Sequence, residues 1–269
     1  MFMCPVCGEP LTPNEKSYIC SNAHLFDKAK KGYVNLLLGR DASLHGDSKE
    51  MALARYEIMQ SGIYAPLKDA IAALLQKHLH DPAVIADCGC GECYYTAAVH
   101  AAFPQAELLA NDISKYALQV ANRRDKTICR AVASNFHLPL ASASCDAALN
   151  IFSPFAKEEY TRILKPDGYL LMVIPLENHL WELKQAVYEK PYKNEPKNTA
   201  LEAFSLIEES ECTYQKELNA AQCVSLFRMT PYSIKTAPED AKKLNNIQPL
   251  NITFSFKILV YRKETKYGL

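Results

Sequence analysis

The sequence predicts an α/β protein in which a doubly wound, mostly parallel sheet is preceded by a small, cysteine-bearing N-terminal module. From residue 67 onwards, short apolar runs alternate with amphipathic segments, which is the order of strands and helices in a parallel sheet covered by helices. Three of the ten cysteines, by contrast, lie within the first twenty residues. The chain has 269 residues, of which 49% are hydrophobic, and a chain of this length buries roughly three-quarters of its unfolded surface. It is long enough for both parts.

The period of the apolar residues defines the individual elements. Apolar side chains recur every three or four residues from Leu67 to Leu79, which predicts a helix that ends before Asp81 and Pro82. An alternation of polar and apolar residues over 251–258 predicts a half-exposed antiparallel strand near the end of the chain. Between them the sequence predicts strands at 84–86, 108–110, 127–132, 145–152 and 169–174, helices at 94–103 and 114–123, and a turn at 165–168.

Composition and charge argue against several classes of protein. The longest uninterrupted apolar stretch, Tyr169 to Leu176, is far shorter than the roughly 18 residues of a membrane span, so we expect no contact with a membrane. The N-terminus lacks the basic region and long apolar run of a secretory signal, and we therefore expect a cytoplasmic protein with reduced cysteines. Thirty basic residues balance thirty acidic ones, which argues against nucleic-acid binding by the whole surface but leaves room for a local basic patch.

The N-terminal cysteines have the spacing of a metal site. Cys4 and Cys7 lie on one short turn, and Cys20 with His24 forms a second pair after twelve intervening residues. This count and spacing favour tetrahedral zinc over buried structural cysteines, because a module of about forty residues cannot build a sufficient core alone. Four protein ligands close the coordination sphere, so we expect one structural zinc per chain and not a catalytic one.

Residues 40–50 separate two parts of the chain. This segment has no apolar period and is typical of a linker. We therefore predict a zinc-binding module at 1–39, a linker at 40–50 and a larger domain at 51–269. Metal binding supplies roughly 10–16 kcal/mol in zinc-finger peptides, which is enough to fold the first part as a separate module.

A glycine-rich turn follows the first strand of the larger domain. Gly89 and Gly91 lie between that strand and a helix, where glycine lets backbone amides approach a ligand near the positive end of the helix dipole. Asp87 precedes the turn, and Asp112 ends the next strand 21 residues after Gly91, where a doubly wound fold places a carboxylate for ribose hydroxyls. Taken alone, Asp112 also suits a helix cap. Tyr94 stands where a dinucleotide fold has its third glycine, so the pattern favours an adenosine-bearing cofactor other than NAD.

Three cysteines are interleaved with these glycines. Cys88, Cys90 and Cys93 directly follow a strand, and we interpret them as small residues of a ligand-binding turn and not as a second metal site. The remaining cysteines lie in apolar settings and are expected to pack in the core; they are Cys129, Cys145, Cys212 and Cys223.

Together these features resemble a known family. The Asp-x-Gly-x-Gly turn and the acidic residue after the second strand are similar to those of class I S-adenosylmethionine-dependent methyltransferases. Essentially the whole chain resembles the bacterial 23S ribosomal RNA (guanine-N1)-methyltransferases, most densely before residue 100. The motifs that carry the resemblance are Cys-Pro-x-Cys at 4–7, Tyr-Ile-Cys at 18–20, His-x-Phe-Asp-x-Ala at 24–29, Gly-Tyr-Val-Asn-Leu-Leu at 32–37, Gly-Asp-Ser at 46–48 and Gly-Glu-x-Tyr-Tyr-Thr at 91–96.

The resemblance implies a seven-stranded Rossmann-like methyltransferase sheet, and a homodimer that binds a 23S rRNA hairpin in paired basic clefts. It also implies that S-adenosylmethionine is the methyl donor, contacted by Tyr64, Gly91, Glu92 and His179. Without the resemblance, Tyr64 would be interpreted as a helix-capping aromatic residue and His179 as a surface histidine. One position departs from the family pattern, because Cys93 replaces a third glycine. A β-carbon there costs about 1 kcal/mol if the backbone needs a positive φ.

Several residues that could act on the substrate keep two interpretations. No side chain can be assigned as the acceptor of the proton on guanine N1. Phe152 and Phe155 follow the fourth strand, where either could stack on an extruded base or pack in the core. Lys28, Lys30 and Lys31 form a modest basic cluster in the N-terminal module, which suits either RNA contact or a solvated face.

Two other functions are compatible with the sequence. The chain could methylate a small molecule or a protein, with the zinc module as a lid. It could instead be a zinc-dependent RNA-binding module whose cofactor site is vestigial. Binding of S-adenosylmethionine distinguishes the last function from the other two, and the identity of the methylated product distinguishes RNA from protein or metabolite substrates.

Overall fold

The computed structural model describes residues 1–38, 46–196 and 198–265. Residues 40–45 of the predicted linker lie outside the described residues, and residues 46–48 lead into the first helix. The N-terminal module contains β1 (Thr12–Pro13), β2 (Ser17–Ile19), β3 (Leu25–Asp27) and β4 (Tyr33–Asn35). Its first three strands form a small antiparallel sheet.

The larger part of the chain alternates helices and strands. The helices are α1 (Lys49–Gln60), α2 (Ala65–His78), α3 (Tyr94–Ala102), α4 (Lys115–Ala121), α5 (Lys157–Ile163), α6 (Trp181–Val187), α7 (Ala220–Arg228), α8 (Tyr232–Lys235) and α9 (Pro238–Lys242), and a 3₁₀ turn (Lys243–Asn246) follows α9. The strands are β5 (Val84–Cys88), β6 (Glu107–Asp112), β7 (Cys129–Val132), β8 (Cys145–Ile151), β9 (Leu164–Pro175), β10 (Phe204–Leu218) and β11 (Leu250–Lys263). Within the described ranges, no helix is long and apolar enough to cross a membrane.

The strands from β4 to β11 form one sheet of eight strands in the order β10-β11-β9-β8-β5-β6-β7-β4. β5 pairs in parallel with β6 on one side and with β8 on the other. The strand order reverses there, so a crevice opens at the carboxyl ends of these strands. The seven strands that the family resemblance implies correspond to β5 to β11, of which β10 and β11 are antiparallel to their neighbours. The N-terminal module adds the eighth strand, because β4 pairs in parallel with β7.

Residues 251–258 form an antiparallel strand that is half exposed, as the sequence predicts. The apolar side chains at 252, 254, 256 and 258 are buried in one core cluster, whereas Asn251, Thr253 and Lys257 are not buried. One detail of the sheet differs from the sequence prediction. The predicted turn at 165–168 falls within β9, where the backbone bulges and Asp167 has a φ of 62°.

The N-terminal module shares its apolar core with the large sheet. Alternate strand residues point into two core clusters, and β5 contributes Ile85 to one and Ala86 to the other. The second cluster also contains Leu11, Val34 and Leu36 of the module, which are at most 4% exposed. The module and the sheet therefore stabilise one another through a common core.

Replacing Leu36 by alanine is expected to destabilise the whole protein by about 2–5 kcal/mol, the usual cost of such a truncation in a core. Leu36 is 4% exposed, and its backbone N–H donates to Val132 O at 3.0 Å. Leu38→Ala is the matched control, because Leu38 is 45% exposed and should change stability by no more than about 0.5 kcal/mol. Urea denaturation measures both, and equal effects of the two variants would contradict the shared core.

Candidate metal centre and cofactor site

Four side chains of the N-terminal module converge on one point. The ligand atoms of Cys4, Cys7, Cys20 and His24 all lie within 4.8 Å of one another. Cys7 Sγ is 3.7 Å from Cys20 Sγ, and Nδ1 of His24 is 3.3 Å from Cys20 Sγ. Tetrahedral zinc with Zn–S of about 2.3 Å and Zn–N of about 2.0 Å places two sulfurs about 3.8 Å apart and sulfur and nitrogen about 3.5 Å apart. The four groups therefore fit a zinc ion, as the sequence predicts.

Two backbone turns present these ligands in pairs. The N–H of Gly8 donates to Cys4 O at 2.9 Å and closes the first turn. The second turn is held by a hydrogen bond from the N–H of Cys20 to His24 O at 3.2 Å, and Ala23 within it has a φ of 59°. Each pair is thus positioned by its own backbone, and a metal ion would join the two turns.

The cysteines near the glycine turn do not form a second metal site. Among the described residues, the cluster in the N-terminal module is the one group of potential metal ligands that converges in this way. Cys88, Cys90 and Cys93 are buried, and Cys93 Sγ lies 3.6 Å from Cys90 Sγ. Burial raises the pKa of the Cys88 and Cys90 thiols, which keeps them protonated. They pack as small residues beside the turn.

The glycine turn lies at the carboxyl end of β5 and is fixed to the end of β6. The N–H groups of Gly89 and Cys90 both donate to Asn111 O at 2.9 Å. Gly89 has a φ of 83°, and a β-carbon there would lie 2.5 Å from Cβ of Ser153. Glycine is required at this position by both the backbone angle and the close approach.

Asp112 connects the turn to the following helix. Its Oδ2 accepts a hydrogen bond from the N–H of Gly91 at 2.8 Å, and its Oδ1 accepts one from the N–H of Ser114 at 2.7 Å. Ser114 itself caps α4 by accepting a hydrogen bond from the N–H of Ala117. Asp112 is therefore not the helix cap, and its carboxylate lies directly beside Gly91.

Asp87 lies inside the protein next to the turn. Its Oδ2 accepts a hydrogen bond from Thr96 Oγ1 at 2.5 Å, which ties β5 to α3. Burial raises the pKa of Asp87 from 3.8 to about 7, while the hydrogen bond from Thr96 opposes this change. The residue is 2% exposed, so it supports the turn from within.

Glu92 forms a buried ion pair that engages only one of its two carboxylate oxygens. Its Oε2 accepts a hydrogen bond from Nε of Arg124 at 2.7 Å, and the guanidinium of Arg124 lies over the rings of Tyr56 and Tyr94. The other oxygen, Oε1, is buried with no hydrogen-bond partner in the structure. Buried polar atoms are normally paired, so this oxygen fits a ligand that carries hydroxyl groups.

Cys93 adopts the backbone conformation of the glycine that it replaces. Its φ is 61° and its ψ is 31°, in the left-handed region, and it immediately precedes α3. The β-carbon therefore carries the expected strain of about 1 kcal/mol. Its thiol is fully buried against Cys90, and this packing offsets part of that strain.

Tyr64 and His179 belong to an aromatic cluster around Phe256. The ring of Phe256 lies 5.8 Å from Tyr64, 4.5 Å from His179 and 5.5 Å from Phe152, measured between ring centroids. Phe152 in turn lies 6.4 Å from Tyr95, the second residue of α3. The cluster thus reaches from β11 to the helix that follows the glycine turn.

His179 is neutral in this environment. Burial, reinforced by the charge of Lys184, lowers the pKa of its imidazole from 6.5 to about 3. Its Nδ1 accepts a hydrogen bond from the N–H of Ser255 at 3.3 Å, so the ring proton is on Nε2. His179 is 7% exposed and presents a hydrogen-bond donor, which corrects its interpretation from the residues alone as a surface histidine.

The predicted cofactor residues therefore fall into two groups at one edge of the sheet. Gly91, Glu92 and Asp112 surround the turn, and Tyr64 and His179 belong to the aromatic cluster. Their roles toward a cofactor stay predictions. Other residues of this edge had no signal of their own in the sequence, because chain segments far apart bring them here; they are Arg55, Asn111, Ser153 and Phe256.

Replacing Cys20 by serine is expected to release the zinc ion, because it removes one of the three thiolates and leaves an incomplete coordination sphere. Elemental analysis should find about one zinc per chain in the parent and far less in the variant. Cys212→Ser is the control, since Cys212 lies on β10 outside the cluster. Retention of zinc by the Cys20 variant, or its absence from the parent purified without chelator, would contradict the assignment.

Replacing Asp87 by asparagine is expected to change how stability depends on pH. The folded-state pKa of about 7 exceeds the ordinary 3.8, so between these values the native protein holds a proton that the unfolded chain has lost. The stability of the parent should therefore fall relative to the variant as the pH rises, by up to about 1.4 kcal/mol per pH unit between roughly pH 4 and 7. His179 titrates in the same way in both proteins and cancels. Urea denaturation across this range measures the difference, and a constant difference would refute the pKa assigned to Asp87.

Two protein families match separate parts of the chain. The family described as "RlmA, N-terminal", a zinc ribbon, matches residues 2–38. The family described as "Methyltransferase domain" matches residues 86–172. The first match contains the four converging metal ligands, and the second begins in β5, contains the glycine turn and ends in β9.

Individual relatives extend this similarity over the whole chain. A 23S rRNA (guanine(748)-N(1))-methyltransferase from Streptomyces fradiae is 38% identical over 187 residues, which cover 68% of this chain and 66% of that protein. Two proteins named for an inferred 23S rRNA (guanine-N(1)-)-methyltransferase activity are each 32% identical. The match to the one from Micromonospora griseorubida covers 96% of both chains, and the match to the one from Bacillus subtilis (strain 168) covers 98% of this chain and 97% of the relative. The chain therefore belongs to the family of bacterial 23S rRNA (guanine-N1)-methyltransferases.

Proposed function

We propose that this protein transfers the methyl group of S-adenosylmethionine to N1 of a guanine in a hairpin loop of 23S rRNA. The observation that carries the proposal is the similarity to proteins named for this activity, at 32% identity over both the zinc module and the sheet. A small-molecule methyltransferase would have no evident need for a zinc ribbon that shares its core with the catalytic sheet. The buried glycine turn with its well-defined hydrogen bonds argues against a vestigial site.

The residues at the sheet edge fit S-adenosylmethionine, and we assign them by position. Asp112 and the unpartnered oxygen of Glu92 suit ribose hydroxyls, while Gly89 and Gly91 provide the positive φ that brings the turn beside Asp112. Tyr64 and His179 would contact the cofactor from the aromatic cluster, and Asp87 would act indirectly by holding the turn. When bound, the cofactor supplies an electrophilic methyl group, so the protein mainly has to orient the nucleophile and exclude water.

His179 is not proposed as the acceptor of the guanine N1 proton. A general base at neutral pH needs a pKa near 7, whereas the pKa of His179 is lowered to about 3. Its Nδ1 is already occupied by the N–H of Ser255. The neutral imidazole is therefore suited to donate a hydrogen bond from Nε2 and not to take up a proton.

Phe152 is the better of the two aromatic candidates for stacking on the target base. It is 45% exposed, has a φ of 56° and lies at the carboxyl end of β8, in the crevice beside the glycine turn. A non-glycine residue in this backbone conformation is strained, and such strain concentrates at functional sites. Phe155, by contrast, is stacked on the buried ring of Tyr160 with centroids 5.2 Å apart.

Phe152→Leu is expected to lower kcat/KM for RNA by roughly 10- to 100-fold, because stacking of a base on an aromatic ring is worth about 1–3 kcal/mol. Binding of S-adenosylmethionine, measured by calorimetry, should stay within about twofold of the parent, since no stacking is lost there. Phe155→Leu is the matched control and should reduce stability more than activity. A larger loss of activity in Phe155→Leu than in Phe152→Leu would show that Phe152 does not stack on the target base.

We assign the N-terminal module to RNA recognition, with the boundaries predicted from the sequence. Lys28 has its ammonium over the ring of Tyr18 and donates to Asn14 O, so it is engaged within the module. Lys30 and Lys31 are exposed and lie in the turn before β4. A homodimer would double these contacts, which suits a chain with no net charge. We expect the dimer in the cytoplasm, where ribosomal RNA is found.

Replacing both Lys30 and Lys31 by alanine is expected to raise the KM for RNA and to flatten its dependence on salt, because two phosphate contacts and their released counterions are lost. The log–log salt slope should decrease by about 2 at most, while cofactor affinity is unchanged. Lys126→Ala/Lys157→Ala provides a charge-matched control outside the module. Parental KM and an unchanged slope in the Lys30/Lys31 variant would exclude RNA contact by these two lysines.

The direct test of the function is methyl transfer to unmodified 23S rRNA in the presence of isotopically labelled S-adenosylmethionine, followed by mapping of the modified base. We expect label at N1 of one guanine in a hairpin loop. Label in protein or metabolites alone would favour a methyltransferase that acts on a protein or a small molecule. Cofactor binding without any transfer, or no binding at all, would favour a vestigial site.

A further inference from the structure

Arg55 lies against the open side of the glycine turn. It belongs to α1, and its side chain is 27% exposed. Its Nη1 is 3.4 Å from the position that a β-carbon on Gly91 would occupy, so a guanidinium covers the space that this glycine leaves free. Its Nη2 donates to Met229 O at 3.3 Å, at the end of α7. The guanidinium thus contacts the end of α7 as well as the turn.

The same guanidinium also has an acidic partner. Nη1 of Arg55 forms an ion pair with the carboxylate of Asp47. Asp47 is fixed to the N-terminus of α4, because its backbone oxygen accepts a hydrogen bond from Ser114 Oγ at 2.7 Å. Gly46 packs so closely on this segment that a β-carbon there would lie 2.9 Å from Ser114 N. The Gly-Asp-Ser motif at 46–48 therefore positions Asp47, and through it Arg55, next to Asp112.

The positive charge of Arg55 reaches both groups of cofactor residues. Burial raises the pKa of Asp112 and of Glu92, and the charge of Arg55 is among the interactions that oppose this change in each. Arg55 also opposes the increase that burial causes in the pKa of Tyr64. One guanidinium thus lies within electrostatic range of the turn and of the aromatic cluster.

We propose that Arg55 binds the α-carboxylate of the amino-acid portion of S-adenosylmethionine, with Asp47 as the residue that orients the guanidinium. This inference rests on the use of that cofactor. Asp112 and Glu92 suit the ribose of the cofactor. The amino-acid portion would then extend along the turn toward Tyr64 and His179. On this path it passes Gly91 and the guanidinium of Arg55. A guanidinium has five N–H donors, so Arg55 can keep its bonds to Asp47 and Met229 and still bind a second carboxylate.

Two ligands that differ in the amino-acid portion test the proposal by calorimetry. S-adenosylhomocysteine carries the α-carboxylate, whereas 5′-methylthioadenosine lacks it. In Arg55→Ala, the affinity for S-adenosylhomocysteine should fall roughly 10- to 100-fold, the usual range for losing a hydrogen bond to a charged group. The affinity for 5′-methylthioadenosine should stay within about twofold of the parent, and its retention shows that the variant is folded.

Two further variants complete the experiment. Arg55→Lys keeps the positive charge but loses the planar guanidinium that can bind a carboxylate through two N–H groups. Its affinity for S-adenosylhomocysteine should therefore fall less than that of Arg55→Ala. Arg228→Ala removes an exposed cation at the end of α7 and should leave both affinities unchanged. Equal losses for the two ligands in Arg55→Ala, or no loss for either, would overturn the proposal. A parent protein that binds neither ligand would instead refute the use of S-adenosylmethionine.

Discussion

The turn between β5 and α3 imposes the constraint on which the rest of the site depends. Within five residues the chain leaves the centre of the sheet and enters a helix, which requires positive φ at Gly89, Gly91 and Cys93. Two amides of the turn share a single acceptor, Asn111 O, so the end of β6 determines where the turn lies. The carboxylate of Asp112, one residue later, is thereby placed beside Gly91. Sheet register, and not the turn sequence alone, sets the geometry of the site.

The metal centre and the sheet are coupled although no zinc ligand lies near the glycine turn. The ligands sit on two short turns, and the module between and after them contributes β4 and several apolar side chains to the large sheet and its core. A module of about forty residues lacks a core of its own, so zinc and docking both supply stability that its sequence cannot supply alone. The cofactor edge and the proposed RNA-binding face are consequently parts of one folded body.

Features encoded by neighbouring residues could be predicted from the sequence. The zinc ligands, the parallel strands and the glycine turn each depend on short spacings or local periods. The position of β10 could not be predicted from the local pattern, because an edge strand with many charged residues has no continuous apolar run. Arg55 could not be predicted as a site residue, because its contact with Gly91 depends on tertiary packing. His179 could be predicted as a cofactor residue only from the family resemblance.

The pairing of β4 with β7 has a consequence for how the protein behaves when metal is scarce. A β-strand at the edge of a sheet exposes N–H and C=O groups that can pair with another chain, and natural proteins cover such edges. Here the edge of β7 is covered by β4, which belongs to the module that carries the four zinc ligands. Unfolding of this module would expose that edge together with the apolar surface beneath Val34 and Leu36. We therefore expect metal starvation to lower the solubility of the newly made chain.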